Sequence, residues 1–158
     1  FAVYARQPRP GQLQPVDLSA LLLDVLGLYD NLRPHVVLNL PDTPVVIQGE
    51  PTRLRQVLHN LLQNAIDAQS ERGDPSYSIS IEAIGGEARL SVADNGPGFP
   101  PDVIAHAFEP YVTTKPKGTG LGLAIVRKIV EEHAGRVAIE NTVAAGARVT
   151  VALPLARP

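Results

Sequence analysis

The chain of 158 residues contains no cysteine. Disulfides and thiolate metal sites are therefore excluded, and the composition suits a reducing compartment. Positive charge is not in excess: 14 Lys and Arg stand against 16 Asp and Glu, for a formal net charge of −2. That argues against a nucleic-acid partner, whose binding surface shows as a basic surplus. No apolar run approaches the roughly 18 residues of a membrane span, and no secretory leader is visible. Internal repeats and low-complexity tracts are also missing. The chain opens at Phe1 without methionine, which reads as an excised fragment, so any membrane anchor lies outside it. What is present is a 44% hydrophobic chain, long enough for one domain with its own core.

Pro8, Pro10, Gly11 and Pro15 mark residues 1–15 as a linker or the tail of a preceding element. Asp17 stands as an N-cap before Leu18, Leu21, Leu22, Val25 and Tyr29, whose spacing predicts a helix from Leu18 to about Tyr29, ended or frayed by Gly27 and Pro34. Val36–Leu40 and Pro44–Gln48 read as short strands joined by a turn at Pro41-Asp42. Pro51 opens the longest helix, to about Arg72, with Leu54, Val57, Leu58, Leu61, Leu62 and Ala65 as its apolar stripe. Gln56, Asn60, Asn64 and Asp67 share another face. Asparagine competes for backbone groups and is a mediocre helix former, so two of them stacked mid-helix need a reason. Either they are solvated or bonded within the fold, or they serve a ligand.

Tyr77, Ile79, Ile81 and Ala83 alternate with polar residues, Gly85-Gly86 turns the chain, and Ala88, Leu90 and Val92 return it. Counting on by two places Asp94 on the inward face. A carboxylate there must be satisfied by donors, since burying it alone is costly. It either caps the turn Asp94-Asn95-Gly96 or accepts from a ligand. Pro101–Ala107 reads as a short helix, and Phe108–Lys117 as a loop. Gly118, Gly120 and Gly122 then lead into a helix to His133, whose unpaired first N–H groups suit an anion. His133 is either a base or a partner of the helix end. Val137 and Ile139, then Ala147 to Leu153, form the last two strands. These elements give an α/β (α+β) two-layer sandwich, with a mixed, mostly antiparallel sheet and helices on one face.

Four blocks occurring in order resemble the catalytic, ATP-binding domain of sensor histidine kinases, within the group shared with gyrase, Hsp90 and MutL. They are Leu58-His59-Asn60-Leu61-Leu62-Gln63-Asn64-Ala65, Asp94-Asn95-Gly96-Pro97-Gly98-Phe99, Phe108-Glu109-Pro110-Tyr111, and Gly118-Thr119-Gly120-Leu121-Gly122-Leu123-Ala124-Ile125. The opening Phe1 to Arg6 and the run Thr113-Thr114-Lys115 look most like nitrogen-regulation-type kinases. The resemblance implies a Bergerat-type fold over residues 16–158, a lid at about 108–120, and residues 1–15 as the tail of a dimerisation helix. It implies that Asp94 accepts the adenine amine, that Asn64 holds Mg²⁺, and that Asn60 lies beside the phosphates. Gly96 and Gly98 would admit the nucleotide against the backbone. Phe108, Thr114, Lys115, Lys117, Gly118, Thr119, Gly120, Leu121 and Gly122 would complete the ATP site, with Asn60, Asn64 and Lys115 nearest the chemistry. The wider group's ATPases carry a glutamate at the Asn60 position, and asparagine cannot act as that base. Implied partners are ATP, a histidine-bearing dimerisation domain of the same full-length protein, and a downstream response regulator. The fragment would be monomeric and cytoplasmic, and the full-length protein a homodimer open to membrane anchoring. A protein-serine kinase or ATPase of the same fold, or a non-catalytic nucleotide-binding module, is the alternative.

Overall fold

In the computed structural model, residues 12–68, 74–109, 122–142 and 146–157 are described. The backbone of the sheet is the hairpin of β4 (Tyr77–Ile84) and β5 (Glu87–Asp94), paired in register from Tyr77↔Asp94 to Ile84↔Glu87. Gly85 and Gly86 both take positive φ, 60° and 79°, the turn whose twist matches the flanking strands. Two further strands, β6 (Arg136–Asn141) and β7 (Ala147–Pro154), follow late in the chain. With β2 (Val36–Asn39) they complete a five-stranded sheet of order β2-β4-β5-β7-β6. Its β2–β4 pair is parallel and the other three are antiparallel. Ile79, Ile81, Leu90, Val92, Val149 and Val151 are buried on one face. The alternate residues Ser78, Glu82 and Arg148 are exposed. One face is packed and the other wet, as in a two-layer sandwich.

The covering layer comprises α1 (Leu18–Leu26), α2 (Pro51–Ala68) and α4 (Gly122–Glu132), with the short α3 (Pro101–Ile104) alongside. Asp17 caps α1 as expected, its Oδ1 accepting from Ser19 N at 3.0 Å and Ala20 N at 3.2 Å. On α2, Leu54, Val57, Leu58, Leu61, Leu62 and Ala65 are all buried. At about 1.5–3 kcal/mol for each large apolar side chain, this stripe is a main source of stability. α4 buries Leu123, Val126, Ile129 and Val130 on the same core.

Three expectations are corrected. Val36–Leu40 and Pro44–Gln48 do not form a hairpin. β2 pairs in parallel with β4, and β3 (Val46–Gly49) pairs antiparallel with β1 (Gln14–Asp17). Parallel neighbours need a crossover, and α2 supplies it between β2 and β4. Gln14 and Pro15, read above as linker, therefore belong to a strand. The first helix also ends at Leu26, before Gly27. That frees Tyr29 to leave the helical row, and its hydroxyl meets His59 Nδ1 at 2.8 Å. Among the described residues, no helix is long and apolar enough to cross a membrane.

Candidate functional site

Contacts between helix ends locate the site. Glu50, just before α2, donates its backbone N–H to His133 Nε2, just after α4, at 3.1 Å. Arg53 bridges to Glu132. The start of α2 therefore meets the end of α4. The two helices pack together, so the start of α4 at Gly122 faces the Asn60–Asn64 part of α2. The end of β5 reaches the same place: a side chain at Gly96 would stand 2.7 Å from the Ala68 carbonyl oxygen. Asn60, Asn64, Asp94 and Gly122 are thus gathered at one end of the helical layer. The close approach also accounts for glycine at 96, because any Cβ would push the β5 loop off α2.

Asp94 is 8% exposed, the one buried charged residue among those described. Its Oδ1 accepts from Gly96 N at 2.9 Å, so it does cap its own turn. An ionised carboxylate has about four acceptor positions, so capping leaves capacity for a further donor. Its charge reaches Tyr77, opposite it on β4. Burial first, and the Asp94 charge second, raise the Tyr77 phenol above its usual range. Asn60 stands out differently. Its Nδ2 is buried and has no hydrogen-bond partner among the described residues. Such a donor costs about 1–3 kcal/mol and calls for an explanation in a native fold. Its neighbour His59 is satisfied by Tyr29, and Asp67 receives Gln63 Nε2 at 2.9 Å on its own helix.

Three further residues shape this end, and the sequence reading did not single them out. Asn141, on β6, clasps the loop after β5: its Oδ1 accepts from Phe99 N and its Nδ2 donates to Phe99 O, both at 2.8 Å. Asn95 Oδ1 accepts from Ser76 N at 2.9 Å, tying the loop to the start of β4. Gly146 has φ +94, and a Cβ there would lie 2.0 Å from the Asp94 carbonyl oxygen. The backbone of β7 thus rests directly on the residue that carries the buried acid. These contacts span 19, 42 and 52 residues of sequence, too far for any local pattern to reveal.

The remaining candidates divide. Phe108 is half-buried against the core and lies beside Ala124, Arg127 and Lys128, on the flank of α4. Thr114, Lys115, Lys117, Gly118, Thr119, Gly120 and Leu121 lie outside the described residues. Gly122 is the first residue of α4, and a Cβ there would meet nothing within 4 Å. Among the described residues, no group of three or more His, Cys, Asp or Glu could hold a metal ion. The side-chain oxygens that Asn60 and Asn64 bring from α2 are amides, which suit Mg²⁺ only where phosphate oxygens and water supply most of its sphere.

The fold is a two-layer α/β sandwich with a buried acid at the end of a strand and two asparagines on an adjoining helix. The profile of the histidine kinase-, DNA gyrase B- and HSP90-like ATPases matches residues 49–157, and the chain belongs to that family. It is 41% identical over 147 residues to the sensor histidine kinase ZraS of Escherichia coli O157:H7, covering 90% of this chain and 32% of that protein. It is 34% identical over 157 residues to the putative sensor histidine kinase NtrY-like of Rickettsia conorii, covering 98% of this chain and 26% of that one. The chain thus spans about a third or less of these relatives. Among solved structures, it matches the catalytic domain of the histidine kinase ThkA with a TM-score of 0.81 and 32% identity, over 90% of this chain and 95% of that one.

Proposed function

We propose that this chain is the ATP-binding, phosphoryl-donating domain of a two-component sensor histidine kinase. Its substrate is Mg-ATP, and the acceptor is a histidine on a dimerisation domain of the same full-length protein. The observation that carries the reading is the buried amide nitrogen of Asn60, which has no partner among the described residues, set at the same end of the fold as the buried Asp94. One is a donor wanting an acceptor, as a phosphate oxygen is; the other is an acceptor suited to an amine.

Asp94 accepts the exocyclic amine of adenine, and guanine offers a carbonyl oxygen at that position. The mismatch sets acceptor against acceptor, for a loss of about 1–3 kcal/mol. Asn60 donates to the phosphates, and the free N–H groups at the start of α4 add to the anion site. Asn64 would hold Mg²⁺ through its amide oxygen, and the ion would neutralise phosphate charge there. In the transfer, a nitrogen of the acceptor imidazole bonds to the γ-phosphorus as the bond to the bridging oxygen breaks. ADP carries away that electron pair, and the other ring nitrogen sheds its proton. Asn60 cannot deprotonate water, so hydrolysis does not compete effectively. With Gln14 and Pro15 in β1, the domain begins at residue 14; residues 108–120 form its lid, and Phe1 to Arg6 the end of the dimerisation helix. A response regulator takes the phosphoryl group onward.

The test mixes this chain and γ-labelled ATP with the dimerisation segment of its own protein. Acid-labile, base-stable label on that segment, and none on this chain alone, is the expected result. Rapid release of free phosphate without transfer would favour an ATPase instead.

A further inference from the structure

Both ring nitrogens of His133 are committed. Nδ1 stands 2.8 Å from the Ile129 carbonyl oxygen, which can only accept, so Nδ1 carries a proton. Nε2 stands 3.1 Å from Glu50 N, which can only donate, so Nε2 keeps its lone pair. The two partners hold the ring in one orientation and one tautomer. The rest of the junction converges on it. The Glu50 carboxylate caps α2 by accepting from Thr52 N at 3.1 Å and Arg53 N at 2.9 Å. Arg53 then bridges to Glu132. A Cβ at Gly49 would lie 3.4 Å from His133 Cδ2, so the end of β3 packs directly on the ring. Glu50, Arg53 and Glu132 bring charge to this junction.

We propose that His133 is a positioning residue for the nucleotide site, a single-tautomer clamp that joins the end of α4 to the start of α2. The inference rests on the nucleotide-binding reading above. α2 carries Asn60 and Asn64, while the start of α4 faces them. α4 has 11 residues and is about 16 Å long, so a tilt of about 4° at the clamped end moves the other end by about 1 Å. Losing the clamp thus changes the spacing between the asparagines and the first amides of α4, although His133 touches no nucleotide.

The experiment measures affinity for a non-hydrolysable Mg-ATP analogue by calorimetry, in the full chain. The temperature is one at which circular dichroism shows every variant folded. His133→Ala is expected to weaken binding by about two- to thirtyfold, the range for residues that act through their neighbours. His133→Gln keeps an acceptor oxygen for Glu50 N and is expected to stay within about twofold of the parent. Long-range proton–nitrogen NMR of the parent is expected to show Nδ1 protonated and Nε2 bare. Folded His133→Ala with parental affinity, a glutamine variant no better than alanine, or a ring protonated at Nε2 near neutral pH would each overturn the inference. Failure of the parent itself to bind the analogue would remove the nucleotide reading, a result distinct from these.

Discussion

Replacing Gly146 with alanine tests how tightly the start of β7 is built against Asp94. Two costs add. The residue has φ +94, where an L side chain loses about 1–2 kcal/mol. The new Cβ would also lie 2.0 Å from the Asp94 carbonyl oxygen and 2.9 Å from Asn95 Cα, and overpacking of that kind adds about 1–3 kcal/mol. Together they predict about 2–5 kcal/mol of destabilisation, or a Tm lower by roughly 5–15 °C for a chain of this size. Gly85 provides the control. Its φ is also positive, at +60, but a Cβ there would meet nothing within 4 Å. Gly85→Ala should carry the backbone cost alone, about 1–2 kcal/mol. Gains from a stiffer unfolded chain apply to both variants and cancel in the difference. The chain lacks tryptophan, so urea unfolding followed by far-ultraviolet circular dichroism is the suitable assay. The two variants agreeing within about 0.5 kcal/mol would refute the packing argument. A larger loss for Gly146→Ala, with weakened ATP binding in its folded fraction, would uphold it.

Other predictions follow from the same structure. Asn60→Leu removes a buried donor with no partner among the described residues. It should stabilise the nucleotide-free chain by about 1 kcal/mol while abolishing the rise in Tm that Mg-ATP gives the parent; a destabilised variant that still responds to nucleotide would count against the site. Ala134, two residues beyond α4, has φ 60, with Gly135 N donating to Val130 O at 2.9 Å, a helix end that favours glycine at the left-handed position. Ala134→Gly should raise stability by about 0.5–1 kcal/mol, measured by chemical denaturation. Glu87 is held below the ordinary glutamate value of 4.5, chiefly by its hydrogen bond to Arg136. Its folded value is depressed, so its contribution is present above about pH 4.5 and disappears as the pH falls through the folded value. The stability difference between parent and Glu87→Gln should shrink from neutral pH to about pH 3, and a constant difference would contradict the ion pair's role.

What could be read from sequence was whatever depends on near neighbours in the chain. The α2 stripe, the Asp17 cap, the Gly85-Gly86 turn and the inward direction of Asp94 are set by periods of 3.6 and 2. The resemblance of four ordered blocks added the family. What escaped depends on distant partners. β2 and β3 are four residues each, too short for their own pattern to choose a partner, so the crossover through α2 decided their pairing. Asn141, Asn95 and Gly146 look like ordinary turn residues until β6, β4 and β5 converge on one loop. His133 was left open between base and helix-end partner, and its two hydrogen bonds answer for the second. The lysine and glycine candidates from Thr114 to Leu121 rest on resemblance, since they lie outside the described residues.

The most direct measurement is calorimetric titration of the full chain with Mg-ATP and with Mg-GTP under identical conditions. If Asp94 reads the purine amine, ATP binds more tightly by about tenfold to a few hundredfold, and Asp94→Ala removes most of that preference. Equal affinities for the two nucleotides, or a preference that survives Asp94→Ala, would contradict the account.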